Sequence, residues 1–429
     1  MPDPKRFDPA RSVAFVALRA VDERDAYANL VLPALLSEHK VTGRDAAFAT
    51  ELVHGTVRMR GTYDAVIDQV AKHGVGSLDA PVLDALRLGT HQLLGMRVPS
   101  HAAVSATVEV VRRQIGHKPV GFVNALLRRI SSRSLEDWLT DATAGLDPDD
   151  ALAVRSSHPR WIIQALRDVV GDQALPALLD AQNQPPKVTL VARPGLCEPS
   201  DLPGEPGRLS PYARVLTDGG SPGDIAQVRD GAAGVQDEGS QMVAIAAAQT
   251  AIDGPDGRWL DLCAGPGGKA ALLGAIAAQR GASLVANEPQ EHRADLVRQA
   301  VRLLPNVEVV SYDGRGGTWE DGWFDRVLVD APCTGLGALR RRPESRWRRT
   351  PQDLEQLVPL QRSLLQRALE VVRPEGLVVY STCSPHLAET DQVIEAVVAA
   401  TGADVVSVNR WWPHIDGTDA MFAAVLRRR

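Results

Sequence analysis

The chain has 429 residues, enough for two or three domains that each bury a core. Its 44% apolar and 23% charged content is that of a globular protein, and the absence of any apolar run near ~20 residues argues against a membrane span. A net charge of −6 excludes a globally basic nucleic-acid binder, so any such surface has to be a local patch.

The segment Met1–Phe7 is polar and no apolar stretch follows it, so no secretory signal is expected. Cys197, Cys263, Cys333 and Cys383 are widely scattered, with neither metal-ligand spacing nor a disulfide framework. A cytoplasmic, metal-free protein with reduced thiols is the expectation, and a monomer the default. Few aromatics (4%) among many Ala, Val and Leu predict aliphatic cores.

Residues 8–131 read as almost entirely helical. The runs Ala14–Val21, Leu30–Leu36, Ala46–Val53, Ala65–Val70 and Val82–Leu88 set apolar residues on one helical face. Further helices are expected at His91–Gly95, Ala102–Ile115 and Gly121–Ile130. This predicts an all-α bundle with no catalytic constellation. Its arginines Arg58, Arg60, Arg112, Arg113, Arg128 and Arg129 suit either a solvated face or an RNA-contacting one. The stretches Arg44–Arg58, Leu86–Leu94 and Gly121–Ile130 resemble the NusB domain, a helical RNA-binding module, over most of residues 8–131. A NusB-like domain over residues 1–131 is what that resemblance implies.

Residues 132–234 read as a link: a polar, proline-marked segment (Leu146–Asp150, Ser157–Pro159), then helices such as Trp161–Leu166. Lys187–Arg193 alternates like a strand and opens a Pro- and Gly-rich region suited to a small β-containing, RRM-like subdomain. Gly234–Ala244 closes it and begins a helix for which Ser240 is a candidate cap.

From residue 235 onward, apolar runs alternate with helical segments. Strands are predicted at Trp259–Leu262, Ser283–Asn287, Val307–Ser311, Arg326–Asp330, Gly376–Ser381 and Phe422–Leu426. Helices are predicted over Gln290–Leu303, Gln352–Val372 and Glu389–Ala400. The alternation predicts a doubly wound α/β domain with ligands at the carboxyl ends of its strands.

The first of these strands runs into Cys263-Ala-Gly-Pro-Gly-Gly-Lys269, where a glycine turn opens a helix. Such a turn brings backbone N–H groups and a helix N-terminus to one point. A bare βα turn, a dinucleotide site and a nucleotide-like cofactor cradle all remain open here. Counted from Gly265, the dinucleotide pattern requires glycine where Ala270 stands, and no Ser or Thr follows Lys269 as a P-loop would need. Glu288, about 20 residues on, is placed to accept from a ribose diol or is a plain strand-end acid. Asp313 is a candidate contact to a cofactor base or a turn residue, and Asp261 a candidate support for the turn.

Two segments are harder to read as scaffold. Val327–Gly337 ends an apolar strand in Asp330, Pro332 and Cys333, and Leu377–Pro385 ends another in Cys383. Lone cysteines are usually inert, but two at equivalent strand ends, one beside an aspartate, point to thiolate chemistry. Between them Arg340, Arg341, Arg342, Arg346 and Trp347 form an arginine cluster with one aromatic, as phosphate contact and base stacking would use, or simply a solvated charge run.

Leu262–Lys269, Asp330-Ala-Pro-Cys-Thr-Gly335, Arg340–Trp347, Ser381-Thr-Cys-Ser384 with Glu389 downstream, and Trp412–Phe422 resemble the Sun family of RNA cytosine-5 methyltransferases. With the helical module in front, the likeness spans essentially the whole chain and implies small-subunit (16S) ribosomal RNA as substrate. It implies a class I, Rossmann-like domain over residues 235–429 that uses S-adenosyl-L-methionine. The cofactor would lie on Cys263, Ala264, Gly265, Pro266, Gly267, Gly268, Lys269, Glu288, Arg293, Asp313 and Asp330. It further implies Cys383 as the nucleophile toward carbon 6 of cytosine, Cys333 as the thiol that assists release, and Asp330 on the base, coupled to Lys269. The arginine cluster with Trp347 would contact RNA.

This chain departs from the pattern at Gly265, where relatives carry alanine, at Thr390, where they carry Asn, and at Glu288, which stands for an Asp. Methyl transfer to another RNA is the alternative within the class. The rivals outside it are a non-catalytic RNA-binding or ribosome-assembly factor, disfavoured by the full set of reacting groups, and an NAD-type oxidoreductase, disfavoured by the glycine spacing.

Overall fold

The computed structural model describes residues 8–217, 220–316 and 319–429, so Met1–Phe7, on which the signal reading rested, lie outside the described residues. The chain divides into two compact units: residues up to 167 with 339–348, and residues 168–338 with 349–429. This differs from the three-part division expected from sequence. Residues 132–167 pack with the N-terminal helices, and the small sheet packs with the large one.

The helical unit follows the amphipathic pattern. Pro9–Glu23 begins where the Asp8 side chain accepts from Arg11 N at 3.0 Å, and it buries Val13, Ala14, Ala17, Leu18 and Val21 along one stripe. Val120–Ile130 buries Val123, Leu126, Leu127 and Ile130, each contributing about 1.5–3 kcal/mol of apolar transfer. These stripes meet in one aliphatic core with Leu52, Ile67, Leu86 and Leu88. The segment His91–Gly95, expected as an ordinary helix, is a π-helical turn that sets the His91 ring against the Tyr63 hydroxyl at 2.8 Å. Of the arginines read as one face, Arg58 is buried, Arg112 and Arg113 pair with Glu109, and Arg128 and Arg129 are exposed.

Leu339–Arg348 belongs to this helical unit although it lies between the two cysteine segments in sequence. Arg346 is 0% exposed, and its guanidinium donates to the carbonyls of Arg58 (3.0 Å) and Ser157 (3.2 Å). Arg348 donates to Val21 O and Ala26 O, both at 2.7 Å, and Glu344 accepts from Ala28 N at 3.2 Å. The Trp347 ring lies so close to Gly61 that a Cβ there would stand 2.4 Å from it.

In the other unit, strands β1 (Thr189–Ala192), β2 (Glu205–Pro206), β3 (Ala213–Val215) and β4 (Ala233–Val235) form an antiparallel sheet in the order β2-β3-β1-β4. That is the order of a split βαβ fold. A 3-10 turn at Pro199–Asp201 stands where the fold's first helix would be. The helix Glu238–Gln249 follows, capped by Asp237 and not by Ser240, which lies inside it.

Among the described residues the second sheet has seven strands: β5 (Arg258–Asp261), β6 (Ser283–Asn287), β7 (Val307–Val310), β8 (Phe324–Asp330), β9 (Val372–Thr382), β10 (Asp404–Trp411) and β11 (Met421–Arg427). Their order is β10-β11-β9-β8-β5-β6-β7; β5 to β9 run parallel and β11 antiparallel to β9. β10 was not foreseen: it is an edge strand with Val405, Val406 and Val408 exposed, so it lacks a buried run. The strand order reverses between β5 and β8, the place in such a sheet where ligands are expected at the carboxyl ends of the strands.

Candidate active site

The glycine turn leaves β5 with Ala264 N bound to Asn287 O at 2.8 Å, and Gly267 N closes it onto Ala264 O at 2.7 Å. Gly267 takes φ +107°, and a Cβ there would stand 2.7 Å from Ala300, so glycine is required by both conformation and space. The helix Gly268–Gln279 starts directly behind it. Asn287, at the end of β6, donates to Leu262 O (3.0 Å) and Tyr312 O (3.1 Å) and accepts from Tyr312 N (2.9 Å), which ties three strand ends together.

Glu288 is 3% exposed, accepts from Gln290 N at 3.0 Å and lies 3.4 Å from the Arg293 guanidinium. Arg293 also donates to Gly265 O at 3.0 Å, so the acid, the arginine and the turn are one assembly. A Cβ on Gly265 would stand 2.0 Å from Glu288 Oε2. Cys263 sits in the turn, where burial and then Asp261 push its thiol well above the ordinary range. Asp261 is fully buried and raised to about 7, first by burial and then by Asp330. Its Oδ1 accepts from Cys263 N at a long 3.4 Å, while Oδ2 has no partner. Asp313 is exposed and turned onto Arg315 (2.6 Å), whose hydrogen bond lowers its pKa to about 2; its side chain is committed to a local turn.

Lys269, one residue into the helix, places Nζ 2.8 Å from Asp330 Oδ2 at the end of β8. Burial opposes the ammonium, but Asp330 and the neighbouring Cys383 outweigh it and raise the lysine pKa. Ser381 Oγ donates to Asp330 Oδ1 at 3.0 Å, so both carboxylate oxygens are held.

Beyond these strand ends, Cys333 Sγ and Cys383 Sγ lie 3.4 Å apart, and both side chains are partly accessible. The contact with Cys383, then burial, push the Cys333 thiol well above its ordinary range. Gly337 N donates to Cys383 O at 2.8 Å, and Ala331 N to Ser381 O at 2.9 Å, so the two loops continue the pairing of β8 with β9.

Behind the thiols lies a group that sequence reading left without a task. Glu389 is 0% exposed; Oε1 accepts from Thr334 N (2.8 Å) and Gln361 Nε2 (3.0 Å), and Oε2 from the Thr334 hydroxyl. Its main-chain carbonyl accepts from the buried Tyr380 hydroxyl at 2.7 Å.

The arrangement brings together Lys269, Asp330, Cys333 and Cys383, and separately the turn with Glu288 and Arg293. The arginine cluster belongs to the helical unit. Arg340 and Arg346 are buried in the helical unit, Arg342 stacks on Tyr27 at 5.2 Å, and Trp347 packs on Gly61. For Arg346 the RNA reading is corrected: a guanidinium bound to main-chain carbonyls in a closed site fastens the fold.

Comparison with known proteins agrees with this layout. Residues 251–427 match the family described as 16S rRNA methyltransferase RsmB/F, and residues 8–132 match the NusB family. A Mycobacterium tuberculosis protein named as a methyltransferase is 51% identical over 453 aligned positions, covering 100% of this chain and 98% of the relative. Ribosomal RNA small subunit methyltransferase B of Pseudomonas putida is 33% identical, over 91% of this chain and 89% of its own. The solved structure of PH0851 shares the fold at TM-score 0.81 and 19% identity, covering 98% of this chain and 99% of that one. A methyltransferase homologue from Pyrococcus horikoshii shares it at TM-score 0.57 and 21% identity, over 66% and 100%. With a NusB-family helical module, a methyltransferase sheet order and a glycine turn facing a paired lysine and aspartate, this chain belongs to the RsmB/F family of 16S rRNA methyltransferases and is an RNA methyltransferase that uses S-adenosyl-L-methionine.

Proposed function

We propose that the enzyme methylates carbon 5 of a cytosine in small-subunit ribosomal RNA through a covalent adduct on Cys383. The observation that carries this reading is the pair of thiols 3.4 Å apart at adjacent strand ends, beside a lysine–aspartate pair. Carbon 5 of cytosine is too weak a nucleophile to accept a methyl group unaided. Addition of the Cys383 thiolate to carbon 6 pushes the ring electrons toward carbon 5, which then attacks. Asp330, held by Lys269 and Ser381, hydrogen-bonds the base and stabilises its protonated or polarised form, so that the ring accepts the electrons of the incoming thiolate. Cys333 takes the carbon-5 proton after transfer; the electrons of that C–H bond reform the ring double bond, and the bond to Cys383 breaks. The base must leave its stack to reach the thiols.

S-adenosyl-L-methionine supplies the electrophilic methyl group. The residues present fit it: a Cβ on Gly268 would meet nothing nearer than 3.9 Å, so the main chain there is bare for a close approach, and the buried Glu288 carboxylate is placed for a ribose diol. Arg293 holds that carboxylate against the turn.

The space over the turn is shared, since Glu288 occupies what an alanine Cβ at position 265 would fill. Gly265→Ala is expected to weaken cofactor binding about tenfold, or ~1.4 kcal/mol. Glu288→Asp in the same molecule should recover most of that loss by withdrawing the carboxylate. Titration calorimetry on the two single variants and the double checks this, and strictly additive losses would refute the shared-space account.

The overall reading is tested by bisulfite mapping of ribosomal RNA from a deletion strain, together with methyl transfer by the purified chain. One small-subunit cytosine should lose its protection and regain it on complementation. A modified atom other than carbon 5, or an unchanged small subunit, would overturn the proposal.

A further inference from the structure

We propose that Glu389 is a positioning residue for the Cys333 thiol, acting through Thr334 and Gln361, and that it sets how fast the RNA adduct is released. The inference rests on the roles of the two thiols proposed above. The Glu389 carboxylate accepts from Thr334 and Gln361, and the side chain is 0% exposed, so it does not reach the base. What it holds is the loop that carries Cys333, from both sides. Thr334, just after the thiol, gives the carboxylate its N–H and its hydroxyl. Gln361, which donates to Glu389 at 3.0 Å, donates also to Pro332 O at 2.8 Å, just before the thiol. The Thr334 hydroxyl is 3.0 Å from Ser384 Oγ. With its proton given to Glu389, that oxygen is left to accept from Ser384. The chain beside Cys333 is thereby referenced to the chain beside Cys383.

The support of the two thiols is unequal. Cys383 follows directly on β9, which pairs with both β8 and β11, and its carbonyl is held by Gly337 N. Cys333 stands three residues beyond β8, and the flanking groups just named are tied to Glu389 or to its partner Gln361. Loss of the carboxylate should therefore displace Cys333 while leaving Cys383 in place. The consequence is kinetic: the adduct should form at a nearly normal rate and be released slowly.

The test follows adduct formation and decay in single turnover with Glu389→Ala, read as RNA-linked protein on denaturing gels. We expect formation within about threefold of wild type, decay at least tenfold slower, and an unchanged Kd for S-adenosyl-L-methionine. Glu389→Gln keeps an oxygen acceptor for Thr334 N and Gln361 and should release nearly as the wild type does. If Glu389→Ala fails to fold, judged by lost cofactor binding, Thr334→Val decides; it keeps the N–H, removes the hydroxyl, and should slow decay by a smaller factor. Normal decay in a folded Glu389→Ala or Thr334→Val protein, or equal loss of formation and decay, overturns the inference. Cys333→Ala serves as the reference: if it accumulates adduct and the Glu389 variant does not, the clamp is wrong, whereas if neither does, the assignment of the thiols is wrong.

Discussion

Replacing Cys383 by alanine is expected to reduce methyl transfer by roughly 10⁴-fold or more, as loss of a covalent nucleophile does in other enzymes. The protein should remain folded, because the side chain is partly accessible and removal of one sulfur from a strand end opens little buried volume. Cofactor affinity should also hold, since the glycine turn, Glu288 and Arg293 form an assembly of their own. A radiolabelled methyl-transfer assay, with titration calorimetry on the same sample, checks both parts. Retention of near-normal turnover would remove the assignment of Cys383 as the nucleophile and leave Cys333, 3.4 Å away, as the thiol at the strand ends able to add to the base.

Cys333→Ala should have the opposite appearance. Cys383 still adds to the base and the methyl group still transfers, but the thiol 3.4 Å away that would take the carbon-5 proton is gone. The covalent complex should therefore accumulate and survive denaturation, while multiple turnover falls by roughly 10²–10⁴-fold, the usual contribution of a general base. A gel shift that disappears on ribonuclease treatment, and that is absent from the double variant with Cys383→Ala, is the expected signature. A Cys333→Ala enzyme that turns over freely would reassign the base.

The catalytic sheet was legible in the sequence because its central strands are buried on both faces. Runs such as Arg326–Asp330 and Gly376–Ser381 are continuous and apolar, and they appear in the structure as the cores of β8 and β9. β10 escaped notice for the converse reason, since an edge strand exposing valines has neither alternation nor a continuous buried run. The thiols and Asp330 stood out because chemistry-bearing residues at strand ends are rare, whereas their roles and the coupling to Lys269 were legible only through the resemblance to the family. Glu389 could be named only as part of a pattern. Its donors lie 55 and 28 residues away, and a carboxylate's partners are not written near it in the chain. Arg346 misled for a related reason. Charge is visible in a sequence, but the carbonyls of Arg58 and Ser157 that receive Arg346 are common to every residue and mark nothing.

Leu339–Arg348 also has a consequence for how the protein is made. Residues up to 167 leave the ribosome first, yet the decapeptide that completes their packing is encoded 172 positions later (339 − 167). At the ~5–20 residues per second typical of synthesis, that gap lasts roughly 9–34 s. Throughout it the nascent helices lack the guanidinium that satisfies Arg58 O and Ser157 O, and the one that satisfies Val21 O and Ala26 O. The N-terminal helices therefore cannot reach their final packing as an independent first event of translation. They are finished only after β8 and the Cys333 loop have been synthesised, so a chain interrupted before that point presents an incomplete helical surface to its surroundings.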